Sequence, residues 1–207
     1  IYLSNCLFNS ITSTSNGGAL SCSSVSILLV KSTSFFSCNT SSDRGGAIYF
    51  YNVFGQCVLH EVCGYNCCPI NTGSSNGQFA NIEVGNGATN KNYVNYSSIA
   101  RCVNENLNSR YMLYLDFGKI CCPSVNISMN KCYFCSGVFC YPYTGSSSVT
   151  CSFSYSSFAD NNASGYTCIN FRRGGAKYEI KCCNILRNTQ VNFSSQGTIY
   201  SEGNLTI

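Results

Sequence analysis

The chain has 207 residues, of which only 10% are charged, with 12 Lys and Arg against 8 Asp and Glu for a net charge of +4. So small and dispersed a positive balance excludes the dense basic face that a nucleic-acid partner requires. The longest apolar run, Val25 to Val30 broken by Ser26, is far below the roughly 20 residues needed to cross a bilayer, so no membrane insertion is expected within this segment.

Short β-prone stretches recur in chain order: Ser26–Val30, Gln56–Leu59, Asn92–Tyr96, Val125–Ser128, Val149–Phe153 and Tyr178–Cys182. They are rich in β-branched and aromatic residues and are bounded by Ser, Asn and Gly, which predicts strands and turns rather than helices. A second element follows each: Phe35-Phe-Ser-Cys38, Gly64-Tyr-Asn-Cys67, Ile99-Ala-Arg-Cys102, Tyr133-Phe-Cys135, Phe158-Ala-Asp-Asn161 and Ile185-Leu-Arg-Asn188. Here the apolar residue is expected to point inward and the Cys or Asn to sit at a corner, where Asn tolerates left-handed dihedrals.

A third signal is a small residue, usually glycine, followed two positions later by an apolar or β-branched one: Gly18, Gly46, Gly77, Arg110, Gly137, Gly165 and Gly197. Their intervals of 28, 31, 33, 27, 28 and 32 residues fall in the period range of stacked solenoid repeats. Two or three short strands per repeat without a crossover helix predict an all-β, right-handed, single-stranded parallel β-helix of about seven rungs, about 34 Å tall. An antiparallel sandwich shares the short strands but predicts no self-similarity near thirty residues. Leucine-rich repeats are disfavoured because no unit shows their leucine spacing. Leu20, Ile48, Phe79, Met112, Phe139, Thr167 and Ile199 are expected to stack as one inward column. Because Ile1 starts inside a repeat and Ile207 ends inside one, residues 1–207 read as one continuous segment excerpted from a longer chain.

Seventeen cysteines with a single histidine argue against mixed zinc sites and predict small buried thiols and disulfides between rungs, with at least one Cys left over. The vicinal pairs Cys67-Cys68, Cys121-Cys122 and Cys182-Cys183 point their members to opposite sides of an extended chain. Cys132-x-x-Cys135 lacks the helix start or second pair that a redox or metal motif needs. Six N-x-[ST] sequons at Asn39, Asn95, Asn126, Asn162, Asn192 and Asn204 are candidate glycosylation sites. With the cysteines and the Ser/Thr/Asn-rich composition, they predict an extracellular or cell-surface location.

The acids Asp43, Glu61, Glu83, Glu105, Asp116, Asp160, Glu179 and Glu202 read as scattered, without the paired carboxylates of a glycosidase or the acid group that calcium-assisted lyase chemistry uses. His60-Glu61 is the one acid–base pairing visible in the sequence, and a lone His on a strand is usually structural. No catalytic, cofactor-binding or metal-ligating residue is therefore assigned, no cofactor is expected, and the chain is not read as an enzyme. Five cations fall late. Arg172, Arg173, Lys177 and Lys181, near the flexible Gly174-Gly175, form a candidate patch for sulfated or sialylated glycans, against a plainer reading as solubilising charge that also covers Arg187.

Gly17-Gly-Ala-Leu20, Gly45-Gly-Ala-Ile48 and Phe158-Ala-Asp-Asn161 resemble the GGA[ILV] and FxxN repeats of chlamydial polymorphic membrane proteins. The Cys-rich background, with Val62-Cys-Gly-Tyr-Asn-Cys67 and Asn76-Gly-Gln-Phe79, is similar to large surface proteins of parabasalid protists such as trichomonads. The resemblance implies a pectate-lyase-like β-helix, displayed or secreted, implicated in adhesion and lacking a cofactor. Gly17, Gly18, Gly45, Gly46, Phe158 and Asn161 map onto its motifs as structural positions. The expected function is adhesion to host-cell glycans or surface proteins, with a polysaccharide lyase or hydrolase, or a structural spacer, as the alternatives.

Overall fold

A computed structural model describes residues 1–70, 76–103, 110–145, 147–163, 167–190 and 197–207. Among them there is no helix; every ladder is parallel and joins a strand to its counterpart one repeat away. Strands such as Leu20–Ser23, Ile48–Tyr51 and Asn76–Glu83 belong to one seven-stranded sheet. Its seven strands bound about six turns of a β-solenoid, one fewer than the seven rungs expected. A 13-stranded sheet and two three-stranded sheets complete the circuit.

The 13-stranded sheet has two legs. In the second and third turns they merge into ten-residue strands, Ile27–Phe36 and Gln56–Tyr65. Later turns divide them, as in Lys91–Asn95 followed by Ser98–Ala100. The sequence-predicted strands map onto the first leg, except Val125–Ser128, which falls on the second leg as Asn126–Ser128.

The chain bends between legs at residues with positive φ: Ser32 (46°), Glu61 (57°), Tyr96 (51°), Ser124 (54°), Tyr155 (52°) and Cys182 (52°). A second series of bends lies at Ser37, Asn66, Arg101, Met129, Asp160 and Arg187, each directly before a Cys or Asn that the sequence placed at the corner, except in the fourth unit, where the position belongs to Asn130 and the expected Cys135 instead opens a strand of the seven-stranded sheet. The Cys and Asn themselves point inward, which corrects that expectation. They form a ladder through the wall: Cys38, Cys67, Cys102, Asn130, Asn161 and Asn188.

Asn130 and Asn161 bond to the turns on either side of them, and Asn188 bonds to the turn before it. Asn161 Nδ2 donates to Ile127 O (2.9 Å), and Asn161 Oδ1 accepts from Asn130 N and Nδ2 (both 3.1 Å). Asn188 repeats the pattern toward Phe158 O (2.8 Å) and Asn161 N (3.0 Å). The cysteines substitute in kind, with Cys67 Sγ donating to Phe35 O (3.4 Å) and accepting from Cys38 N (3.4 Å). A thiol and a carboxamide thus serve one function, closing backbone groups that the bend leaves unpaired in a dry interior. Among the core thiols, Cys38, Cys67, Cys102, Cys122, Cys140 and Cys151 are free and buried, so the disulfides expected between rungs are not formed by them.

The inward column of the seven-stranded sheet is Leu20, Ile48, Ala80, Leu113, Val138, Ile169 and Ile199. This corrects the expected column at its four middle members. Gly77, with φ of 73°, is the counterpart of Gly17 and Gly45 rather than of Gly18 and Gly46, and the register also shifts at Asn76/Ala80, Tyr111/Leu113 and Cys135/Val138. A one-residue slip reverses the face a side chain presents. Phe139 accordingly stacks on Tyr114 (centroids 5.0 Å apart, planes at 2°) beside the column it was assigned to. Phe79 and Met112 stay fully buried, and the side chain of Thr167 lies outside the described residues.

Candidate functional site: two charged faces

The register aligns lysines that the sequence scatters. On the first leg, alternation sends Leu28, Cys57, Ile120 and Cys151 into the core and the residues beside them outward. One outward column holds Ile27, Gln56, Lys91, Lys119, Thr150, Lys177 and Asn204. Lys91 and Lys119 are direct partners in neighbouring strands. A second outward column holds Lys31, His60, Asn95 and, at its far end, Lys181. Between the two runs Leu29, Val58, Tyr93 and Cys121. The five lysines are exposed, whereas the middle column is half-buried.

Like charges directly opposite across a ladder destabilise it. Among the described residues neither Lys91 nor Lys119 joins an ion pair. Lys181 Nζ reaches Glu179 Oε1 (2.8 Å) and Lys177 Nζ donates to Ser147 O (2.6 Å).

The patch expected from the sequence is divided. Lys177 and Lys181 lie on this lysine face, at the two ends of one strand. Arg172 turns to the final turn, where it pairs with Glu202 (2.7 Å) and lies over Tyr200. Arg173 turns the opposite way, over Phe117 and Tyr141, and donates to Pro142 O (3.0 Å). The two guanidiniums therefore do not converge on one ligand with the lysines. Arg187, the fifth late cation, makes a forked pair with Asp160 (2.6 and 2.8 Å) between adjacent bends.

The acids are less scattered than their sequence suggests. Asp160, Glu179 and Glu202 pair with cations, and Glu61 takes a bond from Ser32 Oγ (2.6 Å) and lies 3.6 Å from His60 Nε2. Glu105 lies outside the described residues. Glu83 and Asp116, by contrast, are partners in adjacent strands of the seven-stranded sheet, an acid pair that column arithmetic at 33-residue spacing could have found. Burial, reinforced by the Glu83 charge, pushes the Asp116 carboxyl up to about 6, and burial raises Glu83 as well. Among the described residues no group of three or more His, Cys, Asp or Glu is placed so that it could hold a metal ion.

Beside Tyr51, the partner of Glu83 on its other side, an open hollow of about 330 Å³ is lined by Ser24, Tyr51, Asn52, Val53 and Phe54. Of the sequon asparagines, Asn126 and Asn204 are exposed. Asn39, Asn95 and Asn162 are half-buried, and Asn39 and Asn162 spend their Nδ2 groups on Ser37 O and Thr189 Oγ1. Asn192 lies outside the described residues. Among the described residues no helix is long and apolar enough to cross a membrane.

No family model, curated protein or solved structure matches the chain.

Proposed function

We propose that this solenoid is an adhesive surface element that holds an anionic glycan on the outer face of its first leg. The observation that carries the reading is the direct opposition of Lys91 and Lys119, extended along the same column by Lys177 and flanked by Lys31 and Lys181. Neighbouring rungs repeat at about 4.8 Å, so Lys91 and Lys119 stand one rung apart and Lys177 two rungs beyond Lys119 along the same column. A polyanion laid along the wall would relieve the repulsion between Lys91 and Lys119, and Tyr93 offers an aromatic surface between the rows. The resemblance to bacterial and protist surface repeats supports display outside the cell, and the exposed sequons at Asn126 and Asn204 suit that setting.

The test is surface plasmon resonance against a sulfated glycosaminoglycan and a neutral polysaccharide, at low and at physiological salt. Binding is expected to the sulfated polymer alone, to weaken as the Debye length shrinks to about 8 Å, and to fall at least tenfold in a Lys91→Ala/Lys119→Ala variant. Equal binding by that variant would overturn the reading. An Arg172→Ala/Arg173→Ala variant is expected to bind as wild type does.

Glu83 and Asp116 give the hydrolase alternative its one specific observation. A retaining glycosidase places its two carboxyls about 5 to 5.5 Å apart, close to the spacing of adjacent strands. Turnover of a polysaccharide that is lost in Glu83→Gln would establish that alternative.

A further inference from the structure

Four polar side chains form a square on the outer face of the seven-stranded sheet. Asn81 is the partner of Tyr114, and Glu83 is the partner of Asp116. Ile82 and Leu115, between them, are fully buried in the core, so all four project outward. Tyr114 Oη donates to Asp116 Oδ2 (3.2 Å), which shows that side chains two apart on this face meet.

Two oxygens of the square lack what their burial demands. Asn81 is 1% exposed and Asp116 7%, yet Asn81 Oδ1 and Asp116 Oδ1 have no hydrogen-bond donor. A buried acceptor left unpaired is destabilising, and two carboxylates held on adjacent strands add mutual repulsion. Arg173 near Asp116 and Arg44 near Glu83 offset part of that charge. The guanidinium of Arg173 is committed to Pro142 O and to the rings of Phe117 and Tyr141.

We propose that Asn81, Glu83 and Asp116 form a calcium-binding site. The donors are all hard oxygens, two of them anionic, which suits calcium and offers nothing to a thiophilic metal. Calcium takes oxygens at about 2.3 to 2.6 Å, so donors on opposite sides of the ion stand about 4.8 Å apart, the spacing at which parallel strands present partnered side chains. Asn81 Oδ1 and Asp116 Oδ1 gain the electropositive partner they lack, and water fills the remaining positions. Magnesium fits less well, because it demands near-ideal octahedral geometry at about 2.0 to 2.1 Å. Three protein donors place the affinity in the 10⁻⁴ to 10⁻³ M range typical of extracellular modules.

The experiment compares thermal unfolding and calorimetric titration with calcium chloride and magnesium chloride at matched ionic strength. Calcium is expected to raise the wild-type Tm and to titrate a single site. Glu83→Gln and Asp116→Asn are expected to lose calcium affinity at least tenfold while unfolding, without metal, no earlier than wild type, since each removes the repulsion. Terbium luminescence excited through tyrosine supplies a readout that does not depend on either acid variant folding. The signal is expected in wild type, where Tyr51, Tyr114 and Tyr141 all stand beside the two acids, and is expected to be displaced by calcium. Wild type that ignores millimolar calcium, variants that respond as wild type does, or terbium emission that calcium does not displace would each overturn the site.

Discussion

The ring of Phe79 occupies the space beside Gly64, so closely that a methyl group placed on Gly64 would overlap it. Gly64 is the partner of Phe35, and Ile99 of the next turn is the partner of Gly64, so the third turn is the one gap in a column of large side chains. Phe79 stands where the two preceding turns carry Ala19 and Ala47, and its ring meets Phe35 edge-on with centroids 6.0 Å apart. The two departures from the repeat compensate each other.

Phe79→Ala is expected to cost about 3 to 5 kcal/mol in urea unfolding, and Gly64→Ala about 1 to 3 through overpacking. Gly64→Leu combined with Phe79→Ala should cost less than the sum of the single changes, with a coupling of about 0.5 to 3 kcal/mol. Simple additivity would show that the two positions are independent.

Asn161 tests the wall ladder. Asn161→Ala strips partners from Ile127 O, Asn130 N and Asn130 Nδ2 and is expected to destabilise by several kcal/mol at about 1 to 3 per buried group left unpaired. Asn161→Cys should cost clearly less, because Cys67 fills the same position and its thiol makes the same two kinds of bond. Chemical denaturation of the two variants side by side decides the matter.

Lys119 should show a trade between stability and binding. Replacing it by Ala removes a like charge opposite Lys91 and is expected to raise stability by about 0.2 to 1 kcal/mol at low salt while weakening attachment to a sulfated glycan. A variant that loses stability and keeps full binding contradicts the functional reading of this face.

Asp160 titrates low because the forked bond from Arg187 favours its charged form. A carboxylate with a depressed folded pKa adds stability above its unfolded pKa, near 3.9, and that contribution is lost as the pH falls through the folded value. Side-chain NMR should find Asp160 titrating below an ordinary Asp, and Arg187→Ala should return it to the ordinary range. Both residues are exposed, so the accompanying change in stability should be small and should vanish at high salt.

Alkylation followed by peptide mass spectrometry should modify the exposed Cys182 first. Cys57, Cys122 and Cys140 are fully buried, and burial raises their thiols above the ordinary range, so they should react only after denaturation. Rapid labelling of Cys122 in the folded protein would contradict the packing of the core.

What the sequence determines by itself is the period and the kind of element. β-branched and aromatic stretches between Ser, Asn and Gly specify strands, and Gly17 and Gly45 mark bends because their positive φ disfavours other residues. Cys and Asn recurring after an apolar residue mark a repeated place in the turn in every unit but the fourth, though not its direction: the bend falls one residue earlier, on a left-handed residue of almost any type, from Ser37 to Arg187. Column membership was decided by tertiary structure. Successive partners from Leu20 to Ile199 stand 28, 32, 33, 25, 31 and 30 residues apart, so a fixed period drifts out of register within three turns. Strand pairing has a side-chain period of two, and each slip exchanges core for surface. That is why Phe139 faces Tyr114 instead of the core column, and why the Lys91–Lys119 and Glu83–Asp116 pairs, 28 and 33 residues apart, emerge only when the hydrogen-bonded ladders fix which residue lies opposite which.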